Sequence, residues 1–196
     1  HNGGLVNAVQ IRRELELAGV TFETTNDTEV LARYIAASDH SDIEEAIADA
    51  MMVVRGAYSV ALLTPKALYI FRDSYGVRPM SVGRLTNGHL VFASETCALN
   101  TVGAVYLYDI EPGQMAVVDE GGLRLRRVMP TTRPSLCVFE YIYFARPDSE
   151  IYDKSVHAVR ERLGHELALE HPAPGAHIVF PIPDTGTPAA IGFARA

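Results

Sequence analysis

The chain has 196 residues, 48% of them apolar, with 17 Lys and Arg against 24 Asp and Glu and a formal net charge of −7. That is core material for one large domain or two small ones, and the acidic balance argues against a nucleic-acid partner, which would meet a basic face. No run approaches the roughly 20 apolar residues of a membrane span, and no basic, apolar leader opens the chain. No membrane partner is therefore expected, and the two cysteines, Cys97 and Cys137, form neither a CxxC pair nor a disulfide framework, so a reducing cytoplasm is expected.

Residues 5–18 read as a helix with Val6, Val9 and Leu17 among its apolar positions and Gly19 at its C-terminal cap. Val20–Thr24 reads as a short strand. Asn26-Asp27-Thr28-Glu29 is a helix start, with an Asn N-cap and Glu three residues later. Ser41-Asp42-Ile43-Glu44 repeats the pattern. Behind it Ile43, Ala46, Ile47, Ala50, Met51 and Val54 recur at helical spacing, the clearest amphipathic helix in the chain. From Ala57 to Val128 short apolar runs alternate with turn signals, and Asn87-Gly88 predicts a hairpin. Helices followed by an antiparallel block predict sheet layers covered by helices.

Residues 129–135, including Pro130, Thr131, Thr132, Arg133 and Pro134, read as a linker, and a domain boundary is placed near residue 130. Beyond it the rhythm predicts a strand at 137–144. A helix follows at about 153–170, with Val156, Val159, Leu163 and Leu167 on one face, then a strand at Ala176–Phe180. A last helix starts at Thr187, with Thr as N-cap and Pro188 at its first position. The chain opens on His1 without Met and stops at Ala196 within that helix, so it is expected to be part of a longer polypeptide.

Several strings could carry chemistry. Asn2-Gly3 is, taken alone, a turn signal. Arg72-Asp73-Ser74-Tyr75-Gly76-Val77-Arg78-Pro79 reads as a strand end and turn, with Arg72 and Asp73 paired locally. Cys97 reads as a buried small apolar residue. Asp184-Thr185-Gly186-Thr187 stands between a predicted strand and a helix, where backbone N–H groups and the positive helix end can receive an anion. By itself it is equally an ordinary loop with an N-cap.

Together these strings resemble amidophosphoribosyltransferase (glutamine phosphoribosylpyrophosphate amidotransferase). The most specific are Cys137-Val138-Phe139-Glu140-Tyr141-Ile142-Tyr143-Phe144-Ala145-Arg146-Pro147-Asp148-Ser149 and Pro181-Ile182-Pro183-Asp184-Thr185-Gly186-Thr187-Pro188, supported by blocks at 1–7, 25–31, 72–79, 93–99 and 181–194. Gly4 stands where the family string usually has Asn.

The resemblance implies an α+β then α/β chain. A partial N-terminal-nucleophile glutaminase of layered αββα form would occupy 1–130, and the start of a type I phosphoribosyltransferase domain 131–196. It implies that Asn2 and Gly3 form an oxyanion hole, that Asp27 holds the α-amino group of glutamine, and that Asp184, Thr185, Gly186 and Thr187 contact the pyrophosphate of phosphoribosyl pyrophosphate (PRPP). The physical logic is sound, because attack on a carboxamide builds charge on one oxygen that two fixed donors stabilise.

The full reaction implied is PRPP plus glutamine and water to 5-phosphoribosylamine, glutamate and pyrophosphate, the first committed step of purine synthesis, with Mg²⁺ as the partner of PRPP. The family's nucleophile is an N-terminal cysteine, expected upstream of His1, and the acidic ribose-binding motif is expected downstream of Ala196. These 196 residues alone are therefore expected to be inactive, and the full-length protein to be a homo-oligomer. Ala93-Ser94-Glu95-Thr96 is expected to close the glutaminase sheet. Cys137 has two readings: one ligand of a [4Fe-4S] cluster, as in some family members, or a plain core cysteine. Two other functions stay open, a non-catalytic glutaminase-like binding module and the glutaminase domain of another amidotransferase.

Overall fold

The computed structural model describes residues 1–130 and 132–196; Thr131, in the expected linker at 129–135, lies outside the described residues. In chain order the first elements are β1 (Asn2–Leu5), α1 (Ala8–Leu17), α2 (Asp27–Ala36), α3 (Ile43–Val53), β2 (Gly56–Leu63), β3 (Leu68–Arg72), β4 (Ser81–Arg84) and β5 (Leu90–Ala93). Then come α4 (Thr96–Thr101), β6 (Val105–Asp109), β7 (Gln114–Asp119), β8 (Gly122–Arg127) and a single π-helical turn (Glu140–Phe144). The last are β9 (Glu150–Ile151), β10 (Lys154–Ser155), α5 (Val156–Glu170) and α6 (Thr187–Arg195). They fall into two compact units, His1–Met80 with Asp109–Leu136, and Ser81–Tyr108 with Cys137–Ala196.

The first unit is built on an antiparallel sheet in the order β1-β2-β3-β7-β8. Side chains alternate along a strand, so Tyr58, Val60, Tyr69, Phe71, Met115 and Val117 share one face. That face forms one core with Ile11 and Leu15 of α1, Val30, Leu31 and Ile35 of α2, and Ala46, Ile47, Ala50 and Met51 of α3. Inside it the Tyr58 ring meets Phe71 edge to face with centroids 6.2 Å apart, and burial pushes the Tyr58 phenol pKa up.

The periodic stripe of α3 is buried as its sequence predicts, although Asp42, not Ser41, is the N-cap and accepts from Glu44 N. Helix α1 differs from the expected 5–18. Residues 2–5 are taken by the sheet, and Val6, Val9 and Leu17 are 81%, 83% and 83% exposed. The buried stripe is Ile11 and Leu15, because the direction of the core, not the first apolar residue, sets the face. Gly19 ends the helix with φ +88°, while Gly19 N and Val20 N donate to Glu16 O and Leu15 O, a Schellman cap. The expected strand Val20–Thr24 is irregular; Phe22 packs against the core and under the Arg12 guanidinium, 4.3 Å from the ring centroid. Thr132 and Ser135 of the expected linker are tied to the first unit, where Thr132 Oγ1 donates to Ser74 O and Ser135 N to Tyr75 O.

The second unit holds a three-stranded sheet, β5-β4-β6, with β4 and β5 joined through Asn87-Gly88 as predicted. The run at 137–144 is not a strand. Ala145 N donates to Glu140 O, closing a π-helical turn, and Arg160 donates from Nε to Tyr141 O and from Nη2 to Ala145 O, satisfying carbonyls at its end. A short apolar run cannot by itself distinguish strand from buried helix.

Helix α5 starts at its N-cap Ser155. It buries Val156, Arg160 and Gly164 and leaves the expected apolar positions Leu163 and Leu167 about half exposed, at 49% and 48%. The reason lies in α6, which crosses α5 at bare backbone: a Cβ on Gly164 would stand 1.8 Å from Ala189 O, and one on Gly192 1.8 Å from Glu161 O. Residues 176–180 are irregular, not the expected strand, with Ile178 and Phe180 exposed. A strand needs a ladder, and no strand of the described residues pairs with this segment. Helix α6 is capped by Gly186, which shifts Thr187 and Pro188 one place inward from their expected positions.

Candidate functional site

Strand β1 lies at the edge of its sheet. On its inner side Val6 N donates to Arg55 O, whereas Leu5 N turns outward and donates to Asp27 Oδ2 at 2.9 Å. Donors two residues apart on a strand point the same way, so Gly3 N–H faces the same open edge as Leu5 N–H. Gly3 is required by contact as well as direction, since a Cβ there would stand 1.8 Å from Ala57 O. Asn2 is exposed on the same strand.

Asp27 is the first residue of α2, where the helix dipole favours a carboxylate. Its Oδ1 lies 3.8 Å from His1 Nδ1, and His1 Nδ1 also hydrogen-bonds Thr28 Oγ1 at 2.8 Å. Three of the sequence-derived candidates, Asn2, Gly3 and Asp27, are thus brought to one edge by a strand and a helix start far apart in sequence. The N-cap Asn26 accepts from Thr28 N. Glu29, instead of returning to the Asn26 amide as in a capping box, accepts from Glu23 N, Thr24 N and Thr24 Oγ1.

The Arg72–Pro79 string organises the turn after β3. The buried Arg72 guanidinium donates to Arg78 O, Gly76 O and Ile110 O. The Asp73 carboxylate accepts from Tyr58 N, Tyr75 N and Val77 N. The expected local pairing of these two side chains is thus replaced, in these bonds, by separate backbone clasps that hold the turn from both sides.

In the second unit Asp184, Thr185 and Thr187 are exposed on the loop that opens α6, and Gly186 is half-buried. Thr187 N donates to Asp184 O, and a Cβ on Gly186 would stand 2.6 Å from Ile182 O. Cys137 is half-buried, and among the described residues no group of three or more His, Cys, Asp or Glu side chains could hold a metal ion. These residues by themselves therefore do not assemble a cluster site.

Ala93–Thr96 ends β5 and opens α4. Glu95 there accepts from Arg146 N, Ser149 Oγ and Cys97 Sγ, which binds the Arg-Pro-Asp-Ser turn to the helix start. Cys97 is buried, and burial pushes its thiol pKa up, against thiolate formation. The Glu95 hub was not legible in sequence, because two of its three partners, Arg146 and Ser149, lie some fifty residues away.

The glutamine amidotransferase domain model matches residues 1–101. The chain belongs to the glutamine amidotransferase domain family. It is 42% identical over its whole length to amidophosphoribosyltransferase of Bacillus subtilis, covering 41% of that protein. It is 45% identical to that of Mycobacterium tuberculosis, with all of this chain and 38% of the relative aligned. Amidophosphoribosyltransferase 2 of Arabidopsis thaliana, a chloroplastic protein, is 42% identical over 99% of this chain and 34% of its own. The solved structure of glutamine PRPP amidotransferase from B. subtilis, complexed with ADP and GMP, matches 99% of this chain and 42% of its own with a TM-score of 0.94 at 41% identity. The structure of the allosteric regulatory enzyme of purine biosynthesis gives the same TM-score of 0.94. The chain thus spans about two fifths of the length of these amidotransferases, and its mixed α/β fold is theirs over that span. Among the described residues no helix is long and apolar enough to cross a membrane.

Proposed function

We propose that this chain is part of an amidophosphoribosyltransferase that moves the amide nitrogen of glutamine to PRPP, releasing 5-phosphoribosylamine, glutamate and pyrophosphate. The observation that carries the reading is the open edge of β1, where Gly3 N–H faces the same side as the Leu5–Asp27 hydrogen bond. The glutamine carboxamide oxygen would be received there by the Gly3 amide and the Asn2 side chain. As a nucleophile adds to the carboxamide carbon the oxygen gains charge, and fixed donors meet it without reorganisation; the charge returns to the carbonyl as the nitrogen leaves. Asp27 would hold the α-amino group through charge-assisted hydrogen bonds. The nucleophile is assigned to the family's N-terminal cysteine, outside these 196 residues: neither Cys97 nor Cys137 is terminal, and Cys97 is also buried with its thiol pKa raised.

In this reading residues 1–130 are part of a layered αββα N-terminal-nucleophile domain and 131–196 begin a type I phosphoribosyltransferase domain. Asp184, Thr185, Gly186 and Thr187 would receive the PRPP pyrophosphate at the start of α6, with Mg²⁺ arriving on the substrate. Cys137 would be a cluster ligand only with thiolates supplied from elsewhere in the polypeptide. A cytoplasmic homo-oligomer fits the resemblance.

The test is the full-length protein assayed for pyrophosphate release with PRPP and either glutamine or free ammonia. Asn2→Ala should lower glutamine-dependent turnover by roughly 10²–10³-fold, the scale of one oxyanion donor. Ammonia-dependent synthesis should persist. A parallel fall in both would overturn the division into two sites, and no turnover with either nitrogen source in the parent protein would leave a binding module.

A further inference from the structure

The segment from Ala18 to Asn26 carries no regular structure, yet it delivers the chain to Asp27. Its last part is held by one side chain. Glu29 Oε1 accepts from Glu23 N at 2.9 Å, and Glu29 Oε2 accepts from both Thr24 N and Thr24 Oγ1 at 2.7 Å. Arg33 closes the other side of the carboxylate with Nη2 at 3.2 Å and Nε at 3.3 Å from Oε1. Thr24 Oγ1 passes the constraint on by accepting from Asn26 N, and Asn26 Oδ1 accepts from Thr28 N. These bonds run from Glu29 through Thr24 and Asn26 to Thr28 and so enclose Asp27 on both sides. Arg12 Nη1 adds a bond to Thr24 O from α1.

We propose that Glu29 is a positioning residue for the glutamine site: its carboxylate clamps Glu23 and Thr24 and thereby fixes where Asp27 enters α2. The inference rests on Asp27 as the α-amino partner. Glu29 touches no substrate in this arrangement; it acts through the backbone that carries Asp27. Only an ionised carboxylate fits, because all five groups around it are donors, and the strongly lowered Glu29 pKa agrees with that. An amide of the same shape would turn an NH₂ against a donor. Asp27 would then keep its bond to Leu5 N while α2 gained freedom to shift relative to β1.

The experiment uses full-length protein with glutamine and, separately, ammonia as nitrogen source. Glu29→Gln should raise the KM for glutamine about tenfold, within the range for a small displacement of a positioned group, and leave kcat at saturating glutamine and ammonia-dependent synthesis near the parent values. Thr24→Val, which keeps both backbone amides but removes the hydroxyl that links Glu29 to Asn26, should raise KM by a smaller factor in the same direction. Asp27→Asn serves as the reference. If Asp27→Asn raises KM and neither Glu29→Gln nor Thr24→Val does, the clamp is overturned while the glutamine reading stands. If Asp27→Asn leaves KM unchanged, the glutamine reading itself fails. Should Glu29→Gln abolish ammonia-dependent synthesis through misfolding, the Thr24→Val result decides alone: a raised KM with intact kcat supports the clamp, and an unchanged KM overturns it.

Discussion

The β1–β2 pair and the α5–α6 pair both bring backbone against backbone at glycine, and they do so for different reasons. In β1 the glycine stands at the edge of its sheet. Gly3 combines φ +145° with a Cβ position 1.8 Å from Ala57 O, so both its conformation and its neighbour exclude a side chain. In α5 and α6 the glycines are ordinarily helical, and only the carbonyl of the facing helix excludes a side chain. In the proposed reading the strand contact shapes a site; the helix contact lets two backbones close on each other at Gly164 and Gly192. A methyl group should therefore cost stability in both places, and in the first it should cost activity as well.

The largest effect is expected at the strand. Gly3→Ala in the full-length protein should lower glutamine-dependent turnover by about 10²–10³-fold, because the added methyl displaces the proposed oxyanion donor. Synthesis from ammonia should survive, and unchanged glutamine turnover would remove β1 from the site. The helix pair should respond through stability instead. Gly164→Ala should cost about 3 kcal/mol in denaturant unfolding, the upper end for overpacking, since the obstruction is backbone and cannot swing aside. A loss below about 1 kcal/mol would mean that α6 can retreat freely and that the crossing is not tight.

A third contrast lies at Gly186, where the obstructing Ile182 O belongs to the same loop. Gly186→Val should raise the KM for PRPP by about tenfold through displacement of the loop, with glutamine KM unchanged. Equal PRPP affinity by titration calorimetry would return the loop to a plain helix start. The smallest effect concerns the segment beside Asp27. Bonds from Glu23 N first, then the Thr24 hydroxyl, Thr24 N and Arg33, lower the Glu29 pKa from 4.5 to about 2. A carboxylate with a depressed folded-state pKa contributes stability that is complete above its unfolded value and is lost as pH falls through the folded one. The amide resonances of Glu23 and Thr24 should therefore hold their native shifts at pH 4.5 and move as the pH approaches 2. Movement centred near 4.5 would show the clamp to be absent in solution.

These expectations draw on signals of different range. The starts of α2 and α3, the Gly19 cap and the Asn87-Gly88 hairpin were legible because donors and acceptors within a few residues decide them. The stripe of α3 was legible because its apolar side is continuous. Asn2, Gly3 and Asp27 could be picked out only by resemblance; their common edge became visible once Leu5 N was seen to donate to Asp27.

Alone, the sequence determined the family strings, the caps and the turns, all of which are local arrangements of hydrogen-bonding groups and of glycine. Tertiary structure decided whether residues 2–5 and 137–144 became strand or helix, and which side of α5 was buried. Those choices belong to partners far along the chain: β2 recruits β1 by completing its ladder, Arg160 satisfies the carbonyls of the π-helical turn, and the carbonyls of Glu161 and Ala189 press on Gly192 and Gly164. An apolar residue reports that it can be buried, but the direction of burial is set by the surface that arrives against it.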